Sequence, residues 1–384
     1  MKDFSQVHLV IIRSYGDILD LKTYNCQEIG LAKALVKKGL KVTFLMPEHD
    51  NKNVSLETKF GKIQIAHIKI SWKLHARYCW FEELEQRLEQ LKPTMIQVHD
   101  MDLLMTWRAV RWAKKTGVPC YLIQGPYDKW TKPVFRQINE LYNRTFGRYI
   151  IKNATRIGVK TSLAAKYLNK YYHCKTEPTI IGLDIDTFAE PNSVNWRLKL
   201  KIDEKKKVLL YVGSLQPRRN PLFLIDILKR LPEEYILLFV GGGIQENDVK
   251  EKIKWEHLEK RCFMLGKLSQ KDLPSLYADS DCFLLASDYE ILGMVIMEAM
   301  YFGIPVISSE TTGSNFIINN WENGVIIRQK EVSIWVDTIM KLFHDESKIK
   351  SIAVAGKTNV ENRFLWDKTC ETFINLYFPA EDFS

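Results

Sequence analysis

A chain of 384 residues, 46% apolar and 26% charged, exceeds what one hydrophobic core usually organises and implies about two domains of 150 to 200 residues. The composition excludes a disordered chain, no apolar run reaches the ~18 residues that span a bilayer, and seven scattered cysteines without a CxxC pair read as reduced packing residues, not a disulfide or zinc framework. The net charge of +9 is uneven: residues 1–190 hold 30 Lys and Arg against 19 Asp and Glu (+11), which leaves 25 against 27 (−2) for residues 191–384.

In chain order, the first apolar run, VHLVII (7–12), is too short and too strand-like for a signal peptide, so a cytosolic protein is expected. It continues as RSYG to Gly16, and KVLLYVGSLQPRR (207–219) repeats the pattern of an aliphatic run, a glycine and a helical stretch. A strand, a glycine turn and a helix open a Rossmann-like half, because the helix then points its unpaired N–H groups at an anionic ligand.

Short apolar runs alternate with amphipathic stretches after each opening. They are KVTFL (41–45), IQIAHI (63–68), MIQV (95–98), VPCYLI (118–123) and TRIGV (155–159), then YILLFV (235–240), CFML (262–265), DCFLL (281–285), PVIS (305–308) and GVII (324–327). Runs this apolar suit strands covered on both faces, which predicts two parallel α/β sheets. The polar stretch 189–207, with Pro191, is the expected connector, and ligands are expected in a cleft at the carboxyl ends of the strands.

Between Lys129 and Lys175 lie eleven Lys and Arg and one acid, Glu140, interleaved with Trp130, Phe135, Tyr142, Phe146 and Tyr149. The pattern fits a solvated helix face, an anionic lipid surface or a nucleic acid. Three Asp-x-Asp pairs, 100/102, 184/186 and 279/281, match a metal-holding motif that also arises often by chance. His99 ends the strand MIQV, where α/β proteins place functional groups and where hydrogen-bonded loop histidines are also common. GGG at 241–243 lacks the dinucleotide spacing and reads as a tight turn near a ligand. Arg218 and Arg219 follow the second glycine turn, where guanidinium groups grip phosphate oxygens.

The stretch DYEILGMVIMEAMYFGIPV (288–306) sets Glu298 among apolar residues and Glu290 beyond Gly293. A helix beginning near Met294 leaves the amides of Met294 and Val295 as donors for phosphate. Glu298, one turn in, needs donors such as a pair of ligand hydroxyls, since an unpaired buried carboxylate costs several kcal/mol. A ribose, a diphosphate and a sugar in sequence would satisfy all three groups.

These residues resemble glycosyltransferase family 4, retaining enzymes of the GT-B fold. EILGMVIME carries the family's two glutamates, and FMLGKLSQKDLPSLYADSDCFLLAS, EAMYFGIPVISSETTGS, ENGVII, IIGLDIDTF, NCQEIGLAKALVKKGLKVTFL and MIQVHD follow its order. The resemblance implies two Rossmann-like domains with parallel sheets facing across a central cleft: 1–188 for the acceptor, 189–360 for the nucleotide sugar, and a C-terminal helix (361–384) returning to the first domain. It implies that Glu298 holds the ribose hydroxyls, Glu290 the transferred sugar, Arg219 and the turn at Gly213 the diphosphate, and the backbone near Leu268 the base, with Gly16 closing under the diphosphate. Two positions depart from the pattern. Ser214 replaces an arginine, for which Arg218 would substitute, and Gln124 replaces a histidine near the sugar; His99 and Asp100 complete the expected acceptor or sugar contacts. No metal or other cofactor is expected, since Arg218 and Arg219 carry the charge a metal would.

The function so implied is transfer of a sugar from a UDP- or GDP-sugar to a saccharide or lipid-linked acceptor at an anionic membrane surface, in surface polysaccharide or glycoconjugate synthesis, with no nucleic acid as partner. Hydrolysis or epimerisation of the nucleotide sugar on the same fold is the alternative enzyme reading. A basic nucleic-acid-binding protein is the non-enzymatic one, and it leaves the two glutamates unexplained.

Overall fold

The computed structural model describes residues 4–21, 25–75, 77–125, 133–188 and 192–379, the side chains of 133–136 excepted. Lys129, Trp130 and Lys132, the side chains of Phe135 and Arg136, and Pro191 therefore lie outside the described residues. The chain forms two compact units, one of Met1–Asp20, Cys26–Gly182 and Trp366–Ser384, the other of Leu21–Asn25 and Leu183–Leu365. The divisions fall after Gly182 and Leu365, where the sequence suggested 188 and 360. Leu183 bridges Leu365 in parallel and its amide donates to the Phe364 carbonyl at 2.6 Å, so the outgoing and returning strands both close the second unit.

The first unit is built on β1 (His8–Ile12), β2 (Lys41–Glu48), β3 (Asn53–Thr58), β4 (Gly61–His75), β5 (Tyr78–Phe81), β6 (Met95–His99), β7 (Cys120–Gln124), β8 (Arg156–Val159) and β9 (Glu177–Pro178), in the order β3-β4-β2-β1-β6-β7-β8-β9 with β5 on β4. The central strands β1, β6 and β7 are buried at every residue, which is why they read as continuous apolar runs. As expected the sheet is parallel, from β4 through β9, and two added strands, β3 and β5, run antiparallel to β4. Both lie toward the sheet margin, where one face meets water, and β3 is mostly polar and exposed (NVSLET), so it lacks the apolar signal of a covered strand. The helix Trp366–Tyr377 packs on Gln27–Lys37, where a side chain at Gly30 would strike the Trp366 indole and Lys37 pairs with Asp367 at 2.8 Å.

The second unit holds β10 (Lys207–Val212), β11 (Tyr235–Val240), β12 (Cys262–Met264), β13 (Cys282–Leu285), β14 (Val306–Ser309) and β15 (Val325–Ile327), all parallel in the order β12-β11-β10-β13-β14-β15. The order reverses direction at β10, whose neighbours are β11 and β13. Loops leaving the carboxyl ends of β10 and β13 therefore diverge from a topological switch point, the place where open α/β sheets bind ligands.

Candidate functional site

In the second unit the chain leaves β10 through Gly213, turns once at Pro217–Arg219, and starts a helix at Pro221, whose fixed φ suits a first helical position. The triple glycine after β11 lies directly against this turn. A Cβ at Gly241 would fall on the Gly213 carbonyl and one at Gly243 on that of Leu215, while the Gly213 amide donates to Val240 O (2.9 Å) and the Leu215 amide to Gly242 O (3.0 Å). The glycines thus serve close backbone packing of two strand-end turns. Ser214 accepts at its carbonyl from the Tyr211 hydroxyl at 2.9 Å, and Leu268 sits half-buried in the loop after β12.

Glu290 lies in the loop after β13 and is 6% exposed. Arg219 Nη1 stands 2.7 Å from its Oε1 and Arg218 Nη1 3.7 Å away, so both guanidinium groups of the turn converge on one carboxylate oxygen. The approach of Arg219 is close but misaligned. Its buried Nε and Nη1 find no hydrogen-bond acceptor among the described residues, and Glu290 Oε1 finds no aligned donor. A guanidinium bonds planar oxygens through its fork, and Arg219 keeps Nε and Nη1 without an aligned acceptor although the Glu290 carboxylate lies 2.7 Å away.

Gly293, at φ 74°, turns the chain into the helix Met294–Tyr301, and Ile296 N–H returns to the Gly293 carbonyl at 2.9 Å. The helix stops at Gly303 (φ 76°) before Pro305, a left-handed residue and then a proline being the usual end signal. The first amides, Met294 and Val295, have no partner within the helix. Glu298 on the buried side is 4% exposed, and its described partner is the Tyr277 hydroxyl, 3.2 Å from Oε2. No cation pairs with it among the described residues. Burial therefore raises its pKa from 4.5 to about 7, with the Tyr277 hydrogen bond opposing. Sequence reasoning found Glu298 by its apolar neighbours but missed Tyr277, whose stretch LPSLYADSD carries no signal of where the hydroxyl points.

The first unit gathers the other candidates at its strand ends. Gly16 packs on β5, where a Cβ would come within 2.8 Å of that of Cys79. Asp100 holds a left-handed φ of 54° after β6, accepting from the Gly125 amide (2.9 Å) and the Tyr15 hydroxyl. Gln124 Oε1 accepts from the Met101 amide at 2.9 Å, so Asp100 and Gln124 tie together the loops after β1, β6 and β7. His99 is buried, with one ring nitrogen 2.9 Å from Gln97 Nε2. Burial above all, helped by Lys160 and Arg13 and opposed by Glu28 and Asp100, brings its pKa to about 4, which leaves it neutral near pH 7. Glu28, which sequence reasoning passed over, adjoins it: burial opposes its charge, yet Arg13 at 3.5 Å, His99 and Lys160 hold its pKa at about 2.

The aspartate pairs have protein partners. Asp102 pairs with Arg77, Asp184 accepts from Thr187 Oγ1 at 3.0 Å, Asp279 from the Trp196 amide at 2.6 Å, and Asp281 binds Arg197 at 2.7 Å. The last pair anchors the described part of the connector region. Of the basic segment, Arg144, Arg148, Lys152, Lys166, Lys170 and Lys175 are exposed, as are Ile138, Leu141, Phe146 and Tyr171. Among the described residues no helix is long and apolar enough to cross a membrane.

Residues 193–359 match the family model described as glycosyl transferases group 1. A D-inositol 3-phosphate glycosyltransferase of Xylanimonas cellulosilytica is 26% identical over 211 residues, 52% of this chain and 50% of that protein. A UDP-Gal:alpha-D-GlcNAc-diphosphoundecaprenol alpha-1,3-galactosyltransferase of Escherichia coli is 30% identical over 205 residues, 51% of this chain and 52% of that one. The chain thus spans about half the length of these curated relatives. Among solved structures, sucrose-phosphate synthase from Thermosynechococcus elongatus superposes with a TM-score of 0.78 at 19% identity, covering 99% of this chain and 100% of that one. Anabaena HepE in complex with UDP and glucose does so at 0.74 and 16%, covering 96% and 99%. The fold is GT-B, two Rossmann-like α/β units.

Proposed function

We propose, on the premise that residues 193–359 form a glycosyl transferases group 1 domain, that this protein moves a sugar from a UDP- or GDP-sugar to a hydroxyl of a saccharide or lipid-linked acceptor, with retention at the anomeric carbon. One observation carries the reading: Glu298, a buried carboxylate with no cation against it among the described residues, lies one turn inside a helix whose N-cap, Gly293, follows Glu290 of the Arg219–Glu290 pair by three residues. In this reading Glu298 takes the ribose hydroxyls, the Met294 and Val295 amides and both arginines take the diphosphate, and Glu290 takes the transferred sugar. The backbone near Leu268 reads the base. Gly16 is assigned to the diphosphate, and His99, Asp100 and Gln124 to the acceptor or sugar, by family resemblance.

Chemically, the bond from the anomeric carbon to the donor phosphate oxygen breaks and a bond to the acceptor oxygen forms on the same face. The acceptor's proton passes to a phosphate oxygen of the departing nucleoside diphosphate. Charge builds on that phosphate through an oxocarbenium-like transition state, and fixed donors that meet it there lower the barrier. Arg218 and Arg219 supply positive charge at the position where a divalent metal would otherwise be needed, and Arg218 takes the place of the arginine that Ser214 lacks. The reading is supported by the solved HepE complex with UDP and glucose on the same fold and by the relative named as a UDP-galactose-dependent transferase.

The test is incubation with UDP- and GDP-sugars and candidate acceptors, read by mass analysis. Glycosylated acceptor supports transfer, whereas free nucleotide without such product supports hydrolysis. With an active donor in hand, Glu290→Ala should lower kcat by about 100-fold while changing UDP affinity by less than about threefold, since Glu290 faces the sugar. Equal losses of both would remove that assignment.

The exposed cations and apolar residues of the basic segment support an acceptor presented at an anionic membrane, with the protein peripheral at its inner face and engaged in surface polysaccharide or glycoconjugate synthesis. Flotation with vesicles containing roughly 30% anionic lipid should carry the protein upward at low salt and release it at high salt. Indifference to anionic lipid would remove the membrane from the account.

A further inference from the structure

Arg219 is followed by Asn220, which holds a left-handed φ of 54° immediately before Pro221. Glycine adopts that conformation with less strain than any other residue, and asparagine at the start of a helix ordinarily uses its side chain to cap the first amides. Asn220 makes no such cap bond. Its amide Nδ2 donates across to the loop after β13 instead, to Ala286 O at 2.8 Å and Asp288 Oδ1 at 2.7 Å. Lys330 Nζ, from the segment after β15, closes the far side by donating to Asn220 Oδ1 (2.6 Å) and Asp288 Oδ1 (2.9 Å). Backbone bonds run alongside: the Asp288 amide donates to Arg218 O at 2.8 Å, and Arg218 Nη1 donates to Tyr289 O at 3.0 Å.

We infer that Asn220, bridged to Asp288 and Lys330, is a positioning residue that aims the Arg219 guanidinium at the diphosphate by locking its turn to the loop of Glu290. The inference rests on the donor-binding reading above and adds a function for residues that no catalytic assignment includes. Its physical basis is that Arg219 Nε and Nη1 have no aligned acceptor among the described residues, while the carboxylate that Nη1 meets at 2.7 Å, Glu290, sits on the opposite loop. A guanidinium held by a misaligned ion pair takes its direction from how its own turn is fixed against that loop. The loop opposite is the natural reference, because it bears both Glu290 and the entry to the Met294 helix. Lys330 and Asp288 are about half exposed, so their ion pair adds little stability. Its contribution is to orient the Asn220 carboxamide, whose oxygen takes the lysine and whose nitrogen takes the aspartate.

Three variants separate aim from fold. Asn220→Gly keeps the left-handed turn and removes the carboxamide, Asp288→Ala removes the acceptor opposite it, and Asp288→Asn keeps the Oδ1 acceptor and removes only charge. Hydrogen exchange of the Arg219 Nε–H, followed by NMR on the full chain without nucleotide, reads the aim directly. In Asn220→Gly and Asp288→Ala that exchange should quicken at least about tenfold, with the thermal transition of the second unit within roughly 2 °C of wild type; Asp288→Asn should stay near wild type. In turnover, the first two should lose about tenfold in kcat with donor KM changed less than about threefold, the signature of misplaced rather than missing contacts. Unchanged Arg219 exchange in Asn220→Gly, or quickened exchange with undiminished kcat, would overturn the inference. A wild-type protein inert toward every donor would instead overturn the functional reading, and the exchange measurement would still decide whether Asn220 aims Arg219.

Discussion

Replacing Arg219 with alanine should lower turnover by roughly two to three orders of magnitude, the usual loss when one fixed donor to a developing oxyanion is removed. The size follows from what Arg219 offers: a guanidinium with Nε and Nη1 buried and unbonded, beside a carboxylate it meets at 2.7 Å without an aligned hydrogen bond. A ground-state diphosphate also carries charge, so nucleotide affinity should fall as well, though by less. Alanine leaves Glu290 buried beside only the half-exposed Arg218 at 3.7 Å, and stranding one member of a buried pair costs about 3 to 5 kcal/mol. The Arg219→Ala, Glu290→Ala double variant therefore separates stability from catalysis, because it restores charge balance without restoring the donor. Arg219→Lys keeps the charge and loses the fork, and should recover only part of the rate. Single-turnover kinetics with calorimetric unfolding of each variant makes the distinction. A folded Arg219→Ala protein turning over at the wild-type rate would remove Arg219 from the mechanism.

Nucleotide binding should tighten as pH rises through 7, and Glu298 should be the cause. Burial raises its pKa from 4.5 to about 7 in the free protein, whereas two ribose hydroxyls donating to the carboxylate would favour the charged form and pull it down. Between pH 5.5 and 8, affinity should then rise by roughly 30-fold beyond the change due to ionisation of the nucleotide phosphate itself, with a proton released on binding near neutrality. Glu298→Gln should abolish that proton release and weaken UDP binding by about 100-fold. The same shift sets stability in the opposite sense. A carboxyl whose folded pKa is raised stabilises the fold fully below its unfolded value of 4.5 and loses that contribution as pH climbs through about 7. The free wild-type protein should thus forfeit about 3 kcal/mol across this window, and Glu298→Gln, still able to accept from Tyr277, should be the more stable protein at pH 8. A variant that gains stability while losing its ligand marks a group held at a cost for binding. Calorimetric titration in buffers of different ionisation enthalpy reads the proton, and identical pH profiles for wild type and variant would refute the assignment.

Covered strands and the second-unit turns were legible because their causes are local. Each strand buried on both faces appears as an unbroken apolar run, from HLVII in β1 to VII in β15. Gly293 announced the start of the Met294 helix, and a glutamate within VIMEAM announced a carboxylate in need of donors. What stayed hidden depends on partners distant in the chain. β3 is half-solvated and polar, so its pairing with β4 follows from the short return between Thr58 and Gly61 rather than from apolar content. The Arg219–Glu290 pair spans two loops brought together only because β10 and β13 are neighbours in the sheet. Tyr277 could not be singled out, since a tyrosine at that helical spacing reads as core; nor could the buried Glu28 and His99 with the part-exposed Arg13 and Lys160, which converge from separate strand ends and the first helix. Asn220 likewise depends on distant partners, Ala286, Asp288 and Lys330.

The most direct test is a crystal structure of the full chain with UDP, or with GDP if only that nucleotide binds. Ribose 2′ and 3′ hydroxyls within hydrogen-bond distance of the Glu298 carboxylate, with the diphosphate on the Met294 and Val295 amides and the Arg219 fork, is the predicted result. A bound nucleotide that leaves Glu298 with Tyr277 as its sole partner, its pentose elsewhere, would contradict the account.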